Sequence, residues 1–166
     1  MDILTYWRDL DLRDKPNCIW NLDESSLCFD PSRTKVVGEK GQSMSRVTSS
    51  SGRENSTFVL GANAEGRRIP PLIIFKGKNV WESWRAPPDH EFPGTSYAAS
   101  PNGWMETTLF QNYFIRTVML ALGKERPVLI LYDGHSTHVS LKLVETAAAN
   151  GITITGTYKR QASTLG

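Results

Sequence analysis

The residues best placed for chemistry in this sequence are two aspartates, each directly behind a short and mostly apolar run. Asp23 follows residues 18–22, and Asp133 follows residues 128–132. If both runs are strands and neighbours in one sheet, their carboxyl ends lie at the same edge and the two carboxylates converge. Carboxylates at close range repel each other unless a proton or a hard cation lies between them. A divalent cation held there can activate water and stabilise the leaving oxygen of a phosphodiester.

Other roles are open to these aspartates and to the residues around them. Aspartates at strand ends also cap helices and form turns. Glu24 is expected to point to the face opposite Asp23, because side chains alternate along a strand, and this favours a structural role. His135 and His138, just behind Asp133, either contact a phosphate or a metal ion or pack at the start of a helix.

A basic block occupies residues 33–85, with ten basic and four acidic side chains, whereas the whole chain has a formal net charge of +2. Such a block can bind the phosphates of a polyanion without sequence specificity, through contacts that weaken with salt. Basic side chains that solvate exposed hairpins have the same composition, so charge alone leaves both interpretations open. Trp81, Trp84 and Trp104 either stack on unpaired bases or cover the sheet. The candidates for phosphate contact are Arg67, Arg68, Lys76 and Lys78.

Length and composition favour a single globular domain. The chain has 166 residues, of which 39% are hydrophobic and 22% charged. No apolar run approaches the roughly 20 residues of a membrane helix, and the amino terminus lacks the apolar core of a secretory signal. We therefore expect an intracellular protein without a membrane partner. Cys18 and Cys28 have no CxxC spacing and are predicted to be reduced and structural.

The apolar pattern predicts two helices and several strands before residue 123. Apolar residues near helical spacing predict a helix within residues 3–12 and a longer helix at 106–122, which Gly123 ends. Strands are predicted at residues 18–22, 27–29, 57–60 and 69–75, with a turn at 23–26, two prolines in the first positions of the fourth strand, and an irregular loop at 77–104.

The last part of the chain is predicted to continue with a strand at 128–132, a helix and a final strand at 152–154. Ser136 or Thr137 is expected to cap that helix, which ends near Asn150. This order predicts an α/β fold with a mixed sheet, antiparallel in its first strands and parallel in its later ones. The side chains expected on the inner side of the helix are Val139, Leu143 and Val144.

Several sequence blocks resemble, in the same order, blocks of one protein family. They are WNLDES at 20–25, GRENSTFVL at 52–60, ANAEG at 62–66, IPPLIIFKGK at 69–78, NGWM at 102–105 and LILYDGHSTHV at 129–139. The sequence resembles the DDE-type transposases of the pogo/Tigger branch of the Tc1/mariner superfamily, with jerky-like and centromere-protein-B-like relatives. The resemblance implies a ribonuclease-H-like fold, a Mg²⁺ or Mn²⁺ cofactor, a nuclear location, and phosphodiester cleavage with strand transfer on DNA. It also implies that Asp23 and Asp133 are the first two catalytic and metal-binding carboxylates.

The sequence departs from that family at both ends. The family's third acid lies in a block beyond the last strand, and residues 155–166 do not contain that block. Glu145 is the only acid after Asp133, and it is expected in the middle of a helix, away from the strand ends. Residues 1–17 are too few for the family's helix-turn-helix domains. The expected division is a short helix and linker over 1–17, an incomplete DDE-type domain over 18–154 and a divergent tail over 155–166.

The leading hypothesis is a nucleic-acid-binding DDE endonuclease domain whose cleavage is impaired because the third carboxylate is absent. Its predicted partners are DNA, bound through the basic block, and a second copy of the chain. The alternative is a non-catalytic module, derived from a transposase, that binds protein or chromatin. A phosphatase-like hydrolase with Asp133 as nucleophile fits poorly, because no glycine-rich phosphate loop lies beside that aspartate.

Overall fold

The computed structural model describes residues 3–29, 54–133 and 139–156. Its strands are β1 (Ile19–Phe29), β2 (Glu54–Asn63), β3 (Arg68–Lys76), β4 (Ser96–Ser100), β5 (Val128–Asp133) and β6 (Ile152–Gly156). Its helices are α1 (Ile3–Asp9), α2 (Thr107–Tyr113), α3 (Met119–Ala121) and α4 (Leu141–Ala149). A π-helical turn, Phe114–Val118, joins α2 to α3, and short 3₁₀ turns form at Pro16–Cys18 and Glu82–Trp84.

The strands form one six-stranded sheet in the order β4-β3-β2-β1-β5-β6. β2 pairs antiparallel with both β1 and β3. The pairs β3–β4, β1–β5 and β5–β6 are parallel. The predicted mixed sheet, antiparallel first and parallel later, is therefore confirmed, and helices connect its last strands.

β1 differs from the prediction because it is one continuous strand of 11 residues, without a turn at residues 23–26. The polar residues there suggested a turn, but β2 pairs with β1 from Trp20, opposite Asn63, to Phe29, opposite Glu54. That ladder satisfies the backbone groups along the whole strand, so the polar side chains need no chain reversal. Asp23 consequently lies within its strand, and the prediction that it ends the strand is wrong.

The segment predicted as an irregular loop contains the edge strand β4, which pairs with the end of β3. Five residues without a clear apolar alternation gave no strand signal. β3 itself confirms the predicted strand at 69–75. Its two prolines, Pro70 and Pro71, coincide with a register shift opposite Val59 and Gly61, because a proline has no N–H to donate to the ladder.

The two faces of the sheet have different environments. We call the face that packs on α2 the helical face, and the Phe110 ring stacks there on the Tyr132 ring with centroids 4.7 Å apart. We call the opposite face the outer face, and on β1 and β2 it is exposed to solvent. Buried side chains on the helical face include Trp20, Leu22, Val59, Ile130 and Tyr132. Exposed side chains on the outer face include Asn21, Asp23, Leu60, Ala62 and Asp133.

The later helices confirm their predicted positions with corrections at their ends. α4 begins at Leu141 with Ser140 as its N-cap, whose Oγ accepts a hydrogen bond from the Leu143 backbone N–H at 3.2 Å. The predicted cap at Ser136 or Thr137 is therefore wrong, because Ser140 already satisfies a free N–H of the first turn. Residues 134–138 lie outside the described part of the chain. Leu143 is buried as predicted, whereas Val144 is 39% exposed.

Cys18 lies in the core as a free thiol, as the sequence predicted for a reduced structural cysteine. It is the last residue of the 3₁₀ turn that leads into β1 and is almost completely inaccessible to solvent. Burial raises the pKa of its thiol, and the negative charge of Glu125 raises it further.

Gly103 occupies the tightest backbone contact of the described glycines, and we predict that Gly103→Ala destabilises the fold strongly. Its φ is +71°, and a Cβ there would lie 2.1 Å from the Asn55 carbonyl oxygen. Gly123→Ala is the matched control, because its φ is +77° but nothing lies within 4 Å. Both variants lose about 1–2 kcal/mol to the left-handed backbone, and Gly103→Ala should lose about 1–3 kcal/mol more from overpacking. Urea unfolding measures this, and equal losses would contradict the described contact.

Candidate metal centre and nucleic-acid interface

Asp23 and Asp133 lie side by side in neighbouring parallel strands. Their Cα atoms are register partners between β1 and β5. Paired strands are about 4.8 Å apart, and paired residues project their side chains to the same face of a sheet. Both side chains are exposed on the outer face. The prediction that the two strands are neighbours is confirmed, and the two aspartates are register partners on one face.

The Asp23–Asp133 pair lies where β5 ends. β5 ends at Asp133, whereas β1 continues to Phe29 and pairs there with β2. The Asp23–Asp133 pair therefore lies at the carboxyl edge of β5, which is the edge where open α/β sheets place functional groups.

Glu24 belongs to the other face of the sheet, as the alternation predicted. Its Oε2 accepts a hydrogen bond from the Tyr132 hydroxyl at 3.2 Å. Burial raises the pKa of the Tyr132 phenol well above its usual range, and the negative charges of Glu24 and Asp23 raise it further. The phenol therefore keeps its proton and donates to Glu24. This contact supports the structural role predicted for Glu24. Of the two consecutive acids Asp23 and Glu24, only Asp23 lies on the outer face.

The donor set fits a hard divalent cation, because carboxylate oxygens are the ligands that Mg²⁺ and related ions prefer. Asp23 and Asp133 are two such donors, and Mg²⁺ sites are commonly built from one or two carboxylates with water and substrate phosphates. Within residues 3–29, 54–133 and 139–156, no group of three or more His, Cys, Asp or Glu side chains could hold a metal ion. Glu145 is exposed on α4 and is not part of such a group.

A groove of about 430 Å³ lies beside Asp23 on the outer face. Its polar lining residues are Asn21, Asp23 and Arg68, and its other lining residues are apolar. Arg68 is exposed and forms no ion pair with any other residue that the structure describes. The groove is therefore lined by a residue with a carboxylate, one with an amide and one with a guanidinium, from β1 and β3 on the outer face. Its apolar lining includes Leu60, Ile69, Pro71 and Phe92.

The remaining predicted phosphate contacts do not join this site. The Arg67 guanidinium donates a hydrogen bond to the Ala121 carbonyl at 3.4 Å, and so points to α3. Lys76 ends β3, eight residues after Arg68, which is about 26 Å along a strand. Lys78 lies just beyond it. His135 and His138 lie outside the described residues.

Asn21 and Phe92 line the groove but were not among the candidate site residues in the sequence. Asn21 precedes Asp23 by two positions, so the alternation of a single strand would have placed both side chains on one face. The turn predicted at residues 23–26 concealed that signal. Phe92 comes from the long segment between β3 and β4, and no sequence pattern indicates where such a segment folds back.

A mixed sheet of this order, with two aspartates paired across its central parallel strands, is a ribonuclease-H-like architecture. Residues 53–156 match the family model described as DDE superfamily endonuclease, so the chain belongs to that family. Its relatives place it in the pogo branch of the Tc1/mariner superfamily. The resemblance found in the sequence blocks is therefore confirmed.

Two curated relatives show how much of a longer protein this chain corresponds to. The human protein named Pogo transposable element with KRAB domain is 29% identical over 152 residues, which cover 87% of this chain and 24% of the relative. A Cochliobolus lunatus protein named MFS-type transporter clz9 is 28% identical over 141 residues, which cover 81% of this chain and 15% of the relative. The chain thus spans a quarter or less of the length of these two relatives. No described helix is long and apolar enough to cross a membrane.

The fold is also similar to that of a solved transposase. The Mos1 transposase paired-end complex with left transposon end matches with a TM-score of 0.51 at 15% identity. The match covers 92% of this chain and 38% of that chain. A pre-cleavage Mos1 transpososome matches with a TM-score of 0.50, also at 15% identity. These matches support the ribonuclease-H-like fold.

Proposed function

We propose that this chain is a DNA-binding nuclease domain that holds a divalent cation, Mg²⁺ or Mn²⁺, between Asp23 and Asp133. The observation that carries the proposal is the register pairing of these two aspartates on the exposed outer face. Membership of the DDE superfamily endonucleases supports phosphodiester chemistry at this position. A nuclear location follows from the transposase-like relatives and is part of the same proposal.

The protein's own groups do three things in this proposal. Asp23 and Asp133 concentrate negative charge on one side of the parallel strand pair and so attract a cation. Arg68, without a described ion-pair partner, offers its guanidinium to a phosphate that lies in the groove. The fixed strands hold these groups in place, which lowers the entropic cost of positioning a phosphodiester. When bound, the cation supplies an activated water and stabilisation of the leaving oxygen.

DNA is the proposed polyanion for two reasons. Arg68, Lys76 and Lys78 are exposed on β3 and just beyond it, and none of them forms an ion pair with a described residue. Unpaired cations of this kind bind phosphates without sequence specificity. The similar Mos1 transposase was solved in complex with a transposon end, which supports DNA as the ligand of such a fold. A homodimer remains a prediction.

The same proposal includes little or no cleavage by this chain alone. Asp23 and Asp133 are only two donors, and the described residues contain no group of three. A cation with two protein donors is held loosely, and most of the catalysis at such a site comes from positioning. We therefore propose that these 166 residues bind cation and DNA better than they cleave.

We predict that Mn²⁺ raises the melting temperature of the chain through Asp23 and Asp133. A cation at ten times its Kd stabilises the folded state by about 1.4 kcal/mol, which corresponds to roughly 3–6 °C for a domain of this size. Asp23→Asn and Asp133→Asn should each remove the shift in a thermal unfolding experiment. Glu24→Gln is the matched control, because Glu24 adjoins Asp23 but faces Tyr132 and its amide oxygen can still accept that hydrogen bond. A shift that survives both aspartate substitutions, or no shift in the unaltered chain, would favour the non-catalytic module.

We predict no Asp133-dependent nicking of supercoiled plasmid by this chain in Mn²⁺, because two carboxylates do not fix the cation well enough for cleavage. The assay compares the unaltered chain with Asp133→Asn, and both should give the same background of relaxed plasmid. Nicking that disappears in Asp133→Asn would show that another carboxylate, such as Glu145 or one from a second copy of the chain, completes the site.

A further inference from the structure

Three exposed tryptophans come from segments that meet at the carboxyl end of β3. Trp81 is 64% exposed, Trp84 37% and Trp104 56%. Large aromatic side chains are expensive to leave in water, so three of them at one place call for an explanation. We refer to these residues, together with Lys76 and Lys78, as the tryptophan patch.

Backbone contacts hold the two tryptophan-bearing segments against Lys76 and Gly77. A Cβ at Gly77 would lie 3.3 Å from Cη2 of Trp84, so that ring lies directly against the glycine. The Gly77 and Gly103 backbone N–H groups both donate to the Ser100 carbonyl, at 2.9 and 3.1 Å. The Ser100 hydroxyl donates to the Trp104 carbonyl at 2.7 Å. One strand end therefore fixes both segments.

The three rings do not have the same role. Trp84 packs on Phe75 with ring centroids 5.2 Å apart, and Phe75 stacks on Tyr97 at 6.2 Å. Trp84 is thus anchored to the sheet and supports the patch. Trp81 and Trp104 make no ring contact with another residue in the described ranges, so their faces are available to a ligand.

The charges around these rings favour an anion. Residues 76–85 carry three basic side chains and one acidic one, Glu82. The Glu82 carboxylate pairs with Arg85 at 3.7 Å, and Arg85 also lies over the Tyr97 ring. Lys76 and Lys78 are exposed and form no ion pair with a described residue. Free ammonium groups beside free aromatic faces are the combination that binds the phosphates and bases of a single strand.

The tryptophan patch wraps around the carboxyl end of β3. Lys76 pairs with Ser100 and shares the helical side of the strand with Leu72 and Ile74, and the Ser100 hydroxyl holds the Trp104 carbonyl from that side.

Trp84 lies on the other side. Phe58, on the outer face two residues before Leu60, is paired with Ile73, so Phe75 also projects to the outer face. Trp84 packs on Phe75 and hence on the same face as Asp23. Counting strand residues and strand spacings separates Trp84 from Asp23 by about 20 Å. A single strand that reaches both positions would cross β2 and the groove beside Asp23.

We propose that the tryptophan patch binds single-stranded DNA, with Trp81 and Trp104 stacked on unpaired bases and Lys76 and Lys78 on the backbone phosphates. The inference deepens the proposed function and rests on its assignment of DNA as the ligand. It adds that the strand is unpaired at the patch, because bases inside a duplex do not expose a face for stacking.

The test is fluorescence anisotropy of a labelled oligo(dT) of about 20 nucleotides, longer than one typical single-strand site, with the full chain in EDTA at low salt. Trp81→Ala should weaken binding roughly 5- to 100-fold, and Trp81→Phe, which keeps a ring, should restore most of the affinity. Lys78→Ala should reduce the slope of log affinity against log salt by about 0.7. Lys142→Ala is the matched control, because Lys142 is also exposed but lies on α4, and its effect should be smaller.

If the unaltered protein and Trp81→Ala bind oligo(dT) with equal affinity, the inference is overturned. The inference is also overturned if Trp81→Ala weakens the binding of a duplex of the same length as much as it weakens the binding of the single strand. Stacking on Trp81 requires unpaired bases. EDTA removes divalent cations, so the assay does not depend on Asp23 and Asp133. If Mn²⁺ does not raise the melting temperature of the unaltered chain but its DNA binding depends on Trp81, the metal site alone is refuted. If Mn²⁺ raises the melting temperature but DNA binding does not depend on Trp81, the tryptophan patch alone is refuted.

Discussion

The parallel pairing of β1 with β5, in one fixed register, is the constraint on which the site depends. Leu22 pairs with Tyr132 on the helical face, and the next pair along is Asp23 with Asp133 on the outer face. A slip of one residue would move Leu22 into water and one aspartate into the apolar core. Burial of an unpaired carboxylate costs several kcal/mol. The packing of the core therefore also sets the alignment of the two carboxylates.

The alternation of side chains separates stability from function within single strands. Asp23 and Glu24 are consecutive acids, yet one faces solvent beside Asp133 and the other accepts a hydrogen bond from a buried tyrosine. The apolar face of the same strands packs on the core and fixes the register that places Asp23 beside Asp133. One face of each strand therefore provides stability, and the other presents the two aspartates to solvent.

The sequence predicted the parts of this fold that depend on strong apolar patterns. The buried strand β5, the helix at 106–122 and the antiparallel first strands were found because their apolar runs are long or periodic. β4 was missed, since a short edge strand needs little apolar surface. The turn wrongly placed at residues 23–26 has a related cause, because polar side chains on an uncovered face resemble a loop. Asp23 and Asp133 were found as a pair, but the direction of Arg67 towards Ala121 depends on tertiary contacts that no local pattern encodes.

The most direct test of the account is paramagnetic broadening by Mn²⁺ in the ¹⁵N spectrum of the labelled chain. With substoichiometric Mn²⁺, the account predicts that the amide signals of Asp23, Leu60 and Leu131 broaden first, because Leu60 is the partner of Asp23 on β2 and Leu131 precedes the end of β5. The same addition to Asp133→Asn should leave these signals sharp. Broadening centred on other acidic residues such as Glu82, or unchanged broadening in Asp133→Asn, would contradict the claim that the paired aspartates form a cation site.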